Sequence, residues 1–98
     1  MAPNTETVTT EQTKRQQTAI YRRDAVLFSE GLRRMRRQAG LTQAAVAARL
    51  RRPASFVGKY ENGYRQLDVI EFLEVAAAIG FDPAGFLTSV LERDRNAA

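Results

Sequence analysis

The 98-residue chain contains no cysteine and no histidine. The lack of cysteine excludes disulfides and zinc–thiolate sites, and nothing indicates a secreted, disulfide-stapled fold. The lack of histidine removes the commonest general base and the commonest metal ligand. Since the chain also lacks a glycine-rich phosphate loop and a convincing carboxylate pair, we expect neither catalysis nor a bound metal or cofactor.

Long apolar runs are missing as well. No segment approaches the ~18 consecutive apolar residues that a membrane span requires. The Thr-rich beginning of the chain does not resemble a signal peptide. The sequence therefore predicts a cytoplasmic protein that does not enter a membrane. Its length predicts one domain with a single modest core.

Acidic residues are scarce in the first two thirds of the chain. Residues 1–40 carry eight Lys/Arg and four Asp/Glu, residues 41–67 carry five and one, and residues 68–98 carry two and six. A polyanion would bind the first two segments and avoid the third. A merely solvated basic face would have the same composition, so charge alone does not decide between these readings.

Helical periodicity predicts five helices, and no stretch alternates as a strand would. The segment 1–18 has almost no large apolar residues and is predicted to be a disordered arm. The folded domain is expected over residues 19–93, with fraying over 94–98. The helices are expected at about residues 21–39, 43–50, 54–61, 69–79 and 83–93.

The segment 40–67, GLTQAAVAARLRRPASFVGKYENGYRQL, has the pattern of a helix-turn-helix. Thr42 is a suitable N-cap for helix 2, and Pro53 breaks that helix because proline disfavours helical backbone at the residue before it. Helix 3 is short and polar on one face, so it must lean on helix 2 to be stable. Phe56 fits either the core or a thymine methyl group, and the sequence does not decide between them.

The last two helices are the most apolar part of the chain. Asp68 and Glu71 form a capping-box pattern at the start of helix 4. Helix 5 has an apolar stripe that fits either a dimer surface or packing against helices 1 and 4. Core packing is favoured more for Phe86 and Leu87 than for Val90 and Leu91.

Three stretches, LRRMRRQAGLTQAAVAARL, RPASFVGKYENGYRQLD and VIEFLEVAAAIGFDP, resemble the Cro/repressor-type helix-turn-helix family, also called the XRE family. The resemblance covers about residues 20–90. It implies an all-α, five-helix, λ-repressor-like domain that binds double-stranded DNA. It also implies a sequence-specific transcriptional regulator that inserts helix 3 into the major groove as a homodimer. A repressor is expected ahead of an activator.

The resemblance assigns roles to individual residues. Gln43 would meet a phosphate and brace the recognition helix, and Asn62 would contact the DNA backbone. Arg36 and Glu61 would form a partly buried structural ion pair. Base edges would be contacted by Ala54, Ser55 and Lys59.

Each assigned residue also has a plain structural reading. Gln43 and Ser55 could be simple first-turn residues, and Lys59 a solvated lysine. Arg52 and Arg65 flank helix 3 and suit phosphates, although surface arginines are common.

The sequence departs from the family pattern at three positions. Ala54 stands where many relatives have glutamine, so it offers a methyl contact where they offer two hydrogen bonds to adenine. Gly58 replaces a common serine, and Arg51 replaces the usual turn glycine, which predicts an unfavourable backbone angle. Ala54 and Gly58 lend some support to a rival hypothesis, an antitoxin-like or adaptor module that binds a protein partner such as a toxin.

Overall fold

The computed structural model describes residues 10–97, with side chains described for residues 23–96. Five α-helices follow one another, and no strand occurs in this part of the chain. The predicted all-α fold is therefore confirmed. The helices are α1 (Thr10–Gln38), α2 (Gln43–Leu50), α3 (Ser55–Glu61), α4 (Val69–Ile79) and α5 (Pro83–Ala97).

The two ends of the helical region differ from the sequence-based expectation. Helix α1 begins at Thr10 and not near Tyr21, so it covers residues 10–18 of the segment predicted as a disordered arm. Residues 1–9 lie outside the described residues. Residues 10–30 contain no glycine or proline, and an existing helix extends at low cost through Glu, Gln, Lys, Arg and Ala. Helix α5 likewise continues to Ala97, through most of the segment 94–98 that was expected to fray.

Local capping explains the sharper helix boundaries. The Thr42 hydroxyl accepts a hydrogen bond from the Ala45 N–H at 3.0 Å and starts α2. At the start of α4, the Asp68 carboxylate accepts from the Glu71 N–H at 2.7 Å, and the Glu71 carboxylate accepts from the Asp68 N–H at 3.0 Å. The predicted capping box is therefore present. Gly80 ends α4 with a φ of 98°, which only glycine adopts without strain.

The core lies where all five helices meet. Its fully buried side chains include Leu32 of α1, Val46 of α2 and Val57 of α3. A second group of aromatic rings joins α1, α4 and the start of α5, with centroids 5.1–6.1 Å apart. These rings belong to Phe28, Phe72, Phe81 and Phe86. They pack α5 against α1 and α4, while α2 packs against α3 and α4.

The apolar stripe of α5 is divided differently from the prediction. Phe86 and Val90 are both buried, whereas Leu87 and Leu91 are 43% and 57% exposed. The expected order of burial therefore holds for Phe86 and Leu91 and is reversed for Leu87 and Val90. Residues 86 and 90 are four positions apart and face the core together, as helical periodicity requires.

Candidate nucleic-acid interface

Helix α3 presents a small exposed face at the surface. Phe56, Val57 and Tyr60 are buried and hold the helix against the core. Ser55 and Lys59 are exposed and lie one turn apart on the outer face. Ala54, the N-cap of α3, is exposed beside them and gives no side-chain hydrogen bond to the helix. The three residues nominated for base contacts are thus brought together on one accessible surface.

The turn between α2 and α3 contains a strained residue. Arg51 has φ 57° and ψ 44°, and it is the one non-glycine residue with positive φ in the described part of the chain. The unfavourable backbone angle expected from its sequence position is therefore observed. For a residue with a Cβ, this left-handed conformation costs about 1 kcal/mol. The turn is nevertheless closed, since the N–H groups of Arg51 and Arg52 donate to carbonyls of the last turn of α2.

A buried ion pair lies behind α3. The Arg36 Nε and Nη2 donate to the two carboxylate oxygens of Glu61 at 2.7 and 3.0 Å. The Arg36 Nη1 also donates to the Leu41 carbonyl at 2.9 Å. This pair, which the family resemblance implied, joins α1 to the last residue of α3. We refer to Arg36, Glu61 and Gln43 as the Glu61 cluster.

Gln43 completes the Glu61 cluster. Its Nε2 donates to the Glu61 Oε1 at 3.0 Å, so the first residue of α2 is joined to the end of α3. Burial by itself would raise the pKa of Glu61, but the hydrogen bonds from Arg36 and Gln43 outweigh it and hold that pKa below its ordinary value. The carboxylate thus stays ionised and holds the two helices of the motif at a fixed angle.

A second ionic group lies beside the N-terminal end of α3. The Arg65 guanidinium donates to both oxygens of Glu71, at 3.0 and 2.7 Å, and the Arg52 Nη2 donates to the same carboxylate at 3.3 Å. Both guanidinium groups lie over the ring of Phe56, at 4.7 Å for Arg52 and 4.8 Å for Arg65. We call Arg52, Phe56, Arg65 and Glu71 the Glu71 cluster.

The electrostatics of the Glu71 cluster favour the charged forms. The bidentate hydrogen bond from Arg65, with the Asp68 N–H in second place, lowers the pKa of Glu71 to about 2. In return, the Glu71 carboxylate raises the pKa of the Arg65 guanidinium. The Glu71 carboxylate therefore stays ionised near neutral pH. With two arginines and one carboxylate, the group has an excess of positive charge next to Ser55.

Sequence reasoning missed most of the Glu71 cluster. Phe56 had no assignment, yet its side chain is buried and carries both arginines. Glu71 was explained by helix capping alone. The partners lie 6 and 19 residues from Glu71 and belong to a turn and a loop, where no helical spacing reveals them.

Asn62 occupies the opposite end of α3. It is exposed at the C-cap position, and its Oδ1 accepts a hydrogen bond from the Arg33 Nη2 at 2.7 Å. Arg33 also lies 3.5 Å from Glu61, and the sequence had not nominated it for this surface. The Asn62 amide is thereby oriented by α1, with its NH₂ group available as a donor.

Within the described residues, no group of His, Cys, Asp or Glu side chains could hold a metal ion. None of the helices, in so far as their residues are described, is long and apolar enough to cross a membrane.

Comparisons with known proteins agree with this geometry. A family model described as a helix-turn-helix domain matches residues 27–85, more than half of the chain. Among solved structures, the chain is similar to an XRE-family like protein from Pseudomonas syringae pv. tomato str. DC3000, with a TM-score of 0.75 and 40% sequence identity. That match covers 80% of this chain and 95% of the other. No curated protein sequence matches the chain.

Proposed function

Because the chain belongs to the XRE-type helix-turn-helix family, we propose that it is a sequence-specific transcriptional regulator that inserts α3 into the major groove of DNA. Of the two directions of regulation, we propose repression. DNA binding itself follows from membership of the family. The observation that carries the finer proposal is the exposed face of α3, formed by small and cationic side chains with a positively charged cluster beside it. The family fold is typical of regulators without catalytic activity.

The exposed face of α3 suggests how bases would be read. The major groove is about 12 Å wide and admits one helix. In this arrangement Lys59 would donate to the acceptors of a guanine, and Ser55 would hydrogen-bond a neighbouring base. Ala54 offers only its methyl group, which suits the methyl of thymine.

Phosphate contacts would come from the rim of this face. Arg52 and Arg65 retain guanidinium N–H groups that are not used by Glu71, and their side chains are 40% and 38% exposed. Asn62 would donate from its amide at the other end of α3. Gln43 would contribute chiefly by bracing α3 through its hydrogen bond to Glu61. A contact with a DNA phosphate is the second role that we propose for Gln43. Such contacts set the register of the protein on DNA, whereas base contacts set its specificity.

Specific recognition by so small a domain calls for two copies. We propose a homodimer that reads two half-sites about one helical turn apart, ~34 Å. The surface that favours this pairing contains the exposed side chains of Val26, Leu87 and Leu91. They border a groove of about 900 Å³ between α1, α5 and the loop after α3. Val90 is buried and therefore not available for this surface, so we assign Leu87 to the dimer surface instead.

The decisive experiment is selection of bound sequences from a random pool of double-stranded DNA at moderate salt. Enrichment of a near-palindromic motif is the expected result. Binding without any enriched motif would remove the sequence-specific regulator from consideration. Affinity for the selected site should also fall steeply with salt, with a log–log slope of about −0.9 per phosphate neutralised. A flat slope would contradict the role of the basic surface.

One observation favours a second function, an antitoxin-like or adaptor module. Three apolar residues at the start of α4 are exposed, Val69 by 71%, Ile70 by 65% and Leu73 by 44%. Tyr64, in the loop before them, is 84% exposed. Exposed apolar groups at adjacent positions often mark a protein-binding surface. A stable complex with a protein partner, combined with poor discrimination between DNA sequences, would support this alternative.

A further inference from the structure

Glu71 is the centre of a junction between three segments of the chain. Its carboxylate accepts four hydrogen bonds, from the Asp68 N–H at 3.0 Å, twice from Arg65 and once from Arg52. A carboxylate has about four lone-pair positions, so this one is fully used. It therefore joins the start of α4 to the α2–α3 turn and to the loop that follows α3.

The two arginines are held from a second direction by the ring of Phe56. Each guanidinium lies less than 5 Å from the ring centroid. Phe56 is itself 7% exposed and packs edge-on against Tyr60, with centroids 5.5 Å apart. Contact with a buried ring and hydrogen bonds to an ionised carboxylate together restrict the rotation of each long side chain.

From this geometry we propose that Glu71 is a positioning residue, which holds Arg52 and Arg65 in the orientation in which they meet DNA phosphates. The inference rests on the proposed function, since it assigns a role within the same DNA-binding surface. Glu71 touches no DNA in this scheme and acts through the two arginines. Its negative charge lowers the general attraction to DNA, while the fixed arginines favour one register.

The physical basis is the entropy that binding would otherwise remove. An arginine that is mobile before binding must be ordered when it meets a phosphate, and each ordered long side chain weakens binding several-fold. Arginines ordered in advance avoid that loss at the correct register. Non-specific binding uses mobile, purely electrostatic contacts and gains little from such order.

The test uses Glu71→Gln and compares binding to the selected site with binding to a scrambled duplex over a range of salt concentrations. Glutamine can still accept the Asp68 N–H in the capping box, so the helix start is kept. Affinity for the scrambled duplex should rise, because one negative charge is lost. The ratio of specific to non-specific affinity should fall by about tenfold, because two side chains must now be ordered on binding.

Glu74→Gln is the matched control. Glu74 is an exposed carboxylate on the same helix, and it makes no hydrogen bond or ion pair within the described residues. Glu74→Gln changes the net charge by the same amount as Glu71→Gln. The affinity of the protein for the selected and the scrambled duplex should therefore rise by a similar small factor, with the specificity ratio unchanged. If Glu71→Gln behaves like this control, or leaves both affinities unchanged, the positioning role is refuted.

Phe56→Leu provides an independent route should the glutamine variant fold poorly. Leucine keeps an apolar side chain in the core but removes the aromatic face under the guanidinium groups. The specificity ratio should fall again, without the rise in non-specific affinity, because no charge changes. An unaltered ratio in a folded Phe56→Leu protein would overturn the inference. Absence of any preferred sequence for the wild-type protein would instead refute the proposed function and this inference with it.

Discussion

Two Arg–Glu clusters lie on either side of α3, and they use the same chemistry in different surroundings. The shortest N–O distance is 2.7 Å in both. In the Glu61 cluster, the side chains of Glu61 and Arg36 are 0% and 10% exposed. In the Glu71 cluster, Glu71 is 13% exposed, while Arg52 and Arg65 are 40% and 38% exposed.

We infer from this difference that burial, and not bond length, separates a structural pair from a candidate binding surface. A buried charge that loses its partner cannot recover hydration, so removal of one partner is strongly destabilising. An exposed arginine that loses its partner is solvated by water and remains able to bind a phosphate. We therefore expect changes in the Glu61 cluster to affect folding and changes around the Glu71 cluster to affect binding.

The largest effect is expected for Glu61→Gln, which leaves Arg36 buried without a counter-charge. The free energy of unfolding should fall by about 3 kcal/mol, measured by urea denaturation. The paired variant Arg36→Met with Glu61→Leu should restore much of it, because no buried charge is then unpaired. A loss below about 0.5 kcal/mol for Glu61→Gln, the size typical of surface changes, would mean that the two clusters do not differ as proposed.

Lys59→Ala should have the opposite profile, since Lys59 is exposed on α3 and makes no ion pair in the described part of the chain. If it grips a guanine, binding to the selected site should weaken by ~1–3 kcal/mol. Unfolding should be almost unchanged. Titration of labelled duplexes measures the effect, with Arg95→Ala at the far end of α5 as the charge-matched control. Equal losses for the two variants would leave Lys59 with no specific base contact.

Arg51→Gly should stabilise the protein, by about 0.5–1 kcal/mol, because glycine adopts positive φ without a Cβ clash. Arg51→Ala removes the same charge but keeps a Cβ at φ 57°, so it should not share the gain. Thermal unfolding of both variants separates strain from charge. Equal stability of the two would show that the turn stores no strain.

The smallest effect is expected from acid, and it compares the two carboxylates directly. Burial would raise the pKa of Glu61, but its hydrogen bonds outweigh burial and lower that pKa. The hydrogen bonds from Arg65 lower the pKa of Glu71 to about 2. Each carboxylate therefore contributes to the free energy of unfolding at pH values above its unfolded-state pKa. That contribution is lost as the pH falls through its folded-state pKa. Urea unfolding between pH 5 and pH 2 should show the decline. High salt should reduce the contribution of Glu71 to stability, measured as the difference from Glu71→Gln, because its two arginine partners are largely exposed to solvent. A decline identical in wild type and Glu71→Gln would assign the whole effect to Glu61 and other groups.

Local sequence features account for the part of the fold that could be predicted. The bounds of α2, α3 and α4 lie within one residue of the expectation, since Thr42, Asp68 and Gly80 act on their own neighbours. The start of α1 was missed because the composition of residues 1–18 indicates only that few side chains can be buried. A helix can still extend through such a segment when its residues have high helix propensity. The division of α5 required knowing which face meets α1.

The candidate site was only partly predictable. The exposed positions Ala54, Ser55 and Lys59 follow from helical spacing once the buried side of α3 is known. Arg52 and Arg65 were nominated as separate surface cations, and only the structure joins them through Glu71 and Phe56. Their contacts with DNA, like those of Gln43 and Asn62, stay predictions.

By itself the sequence determined the helices, their order and the family, because caps, turn residues and apolar periodicity act over a few neighbouring residues. Only the tertiary structure showed that Arg52 and Arg65 share Glu71 and Phe56, and how far each arginine is removed from water. Both features depend on how distant segments pack together. Solvation of a charge is a property of its surroundings in space, and neighbours along the chain do not specify it.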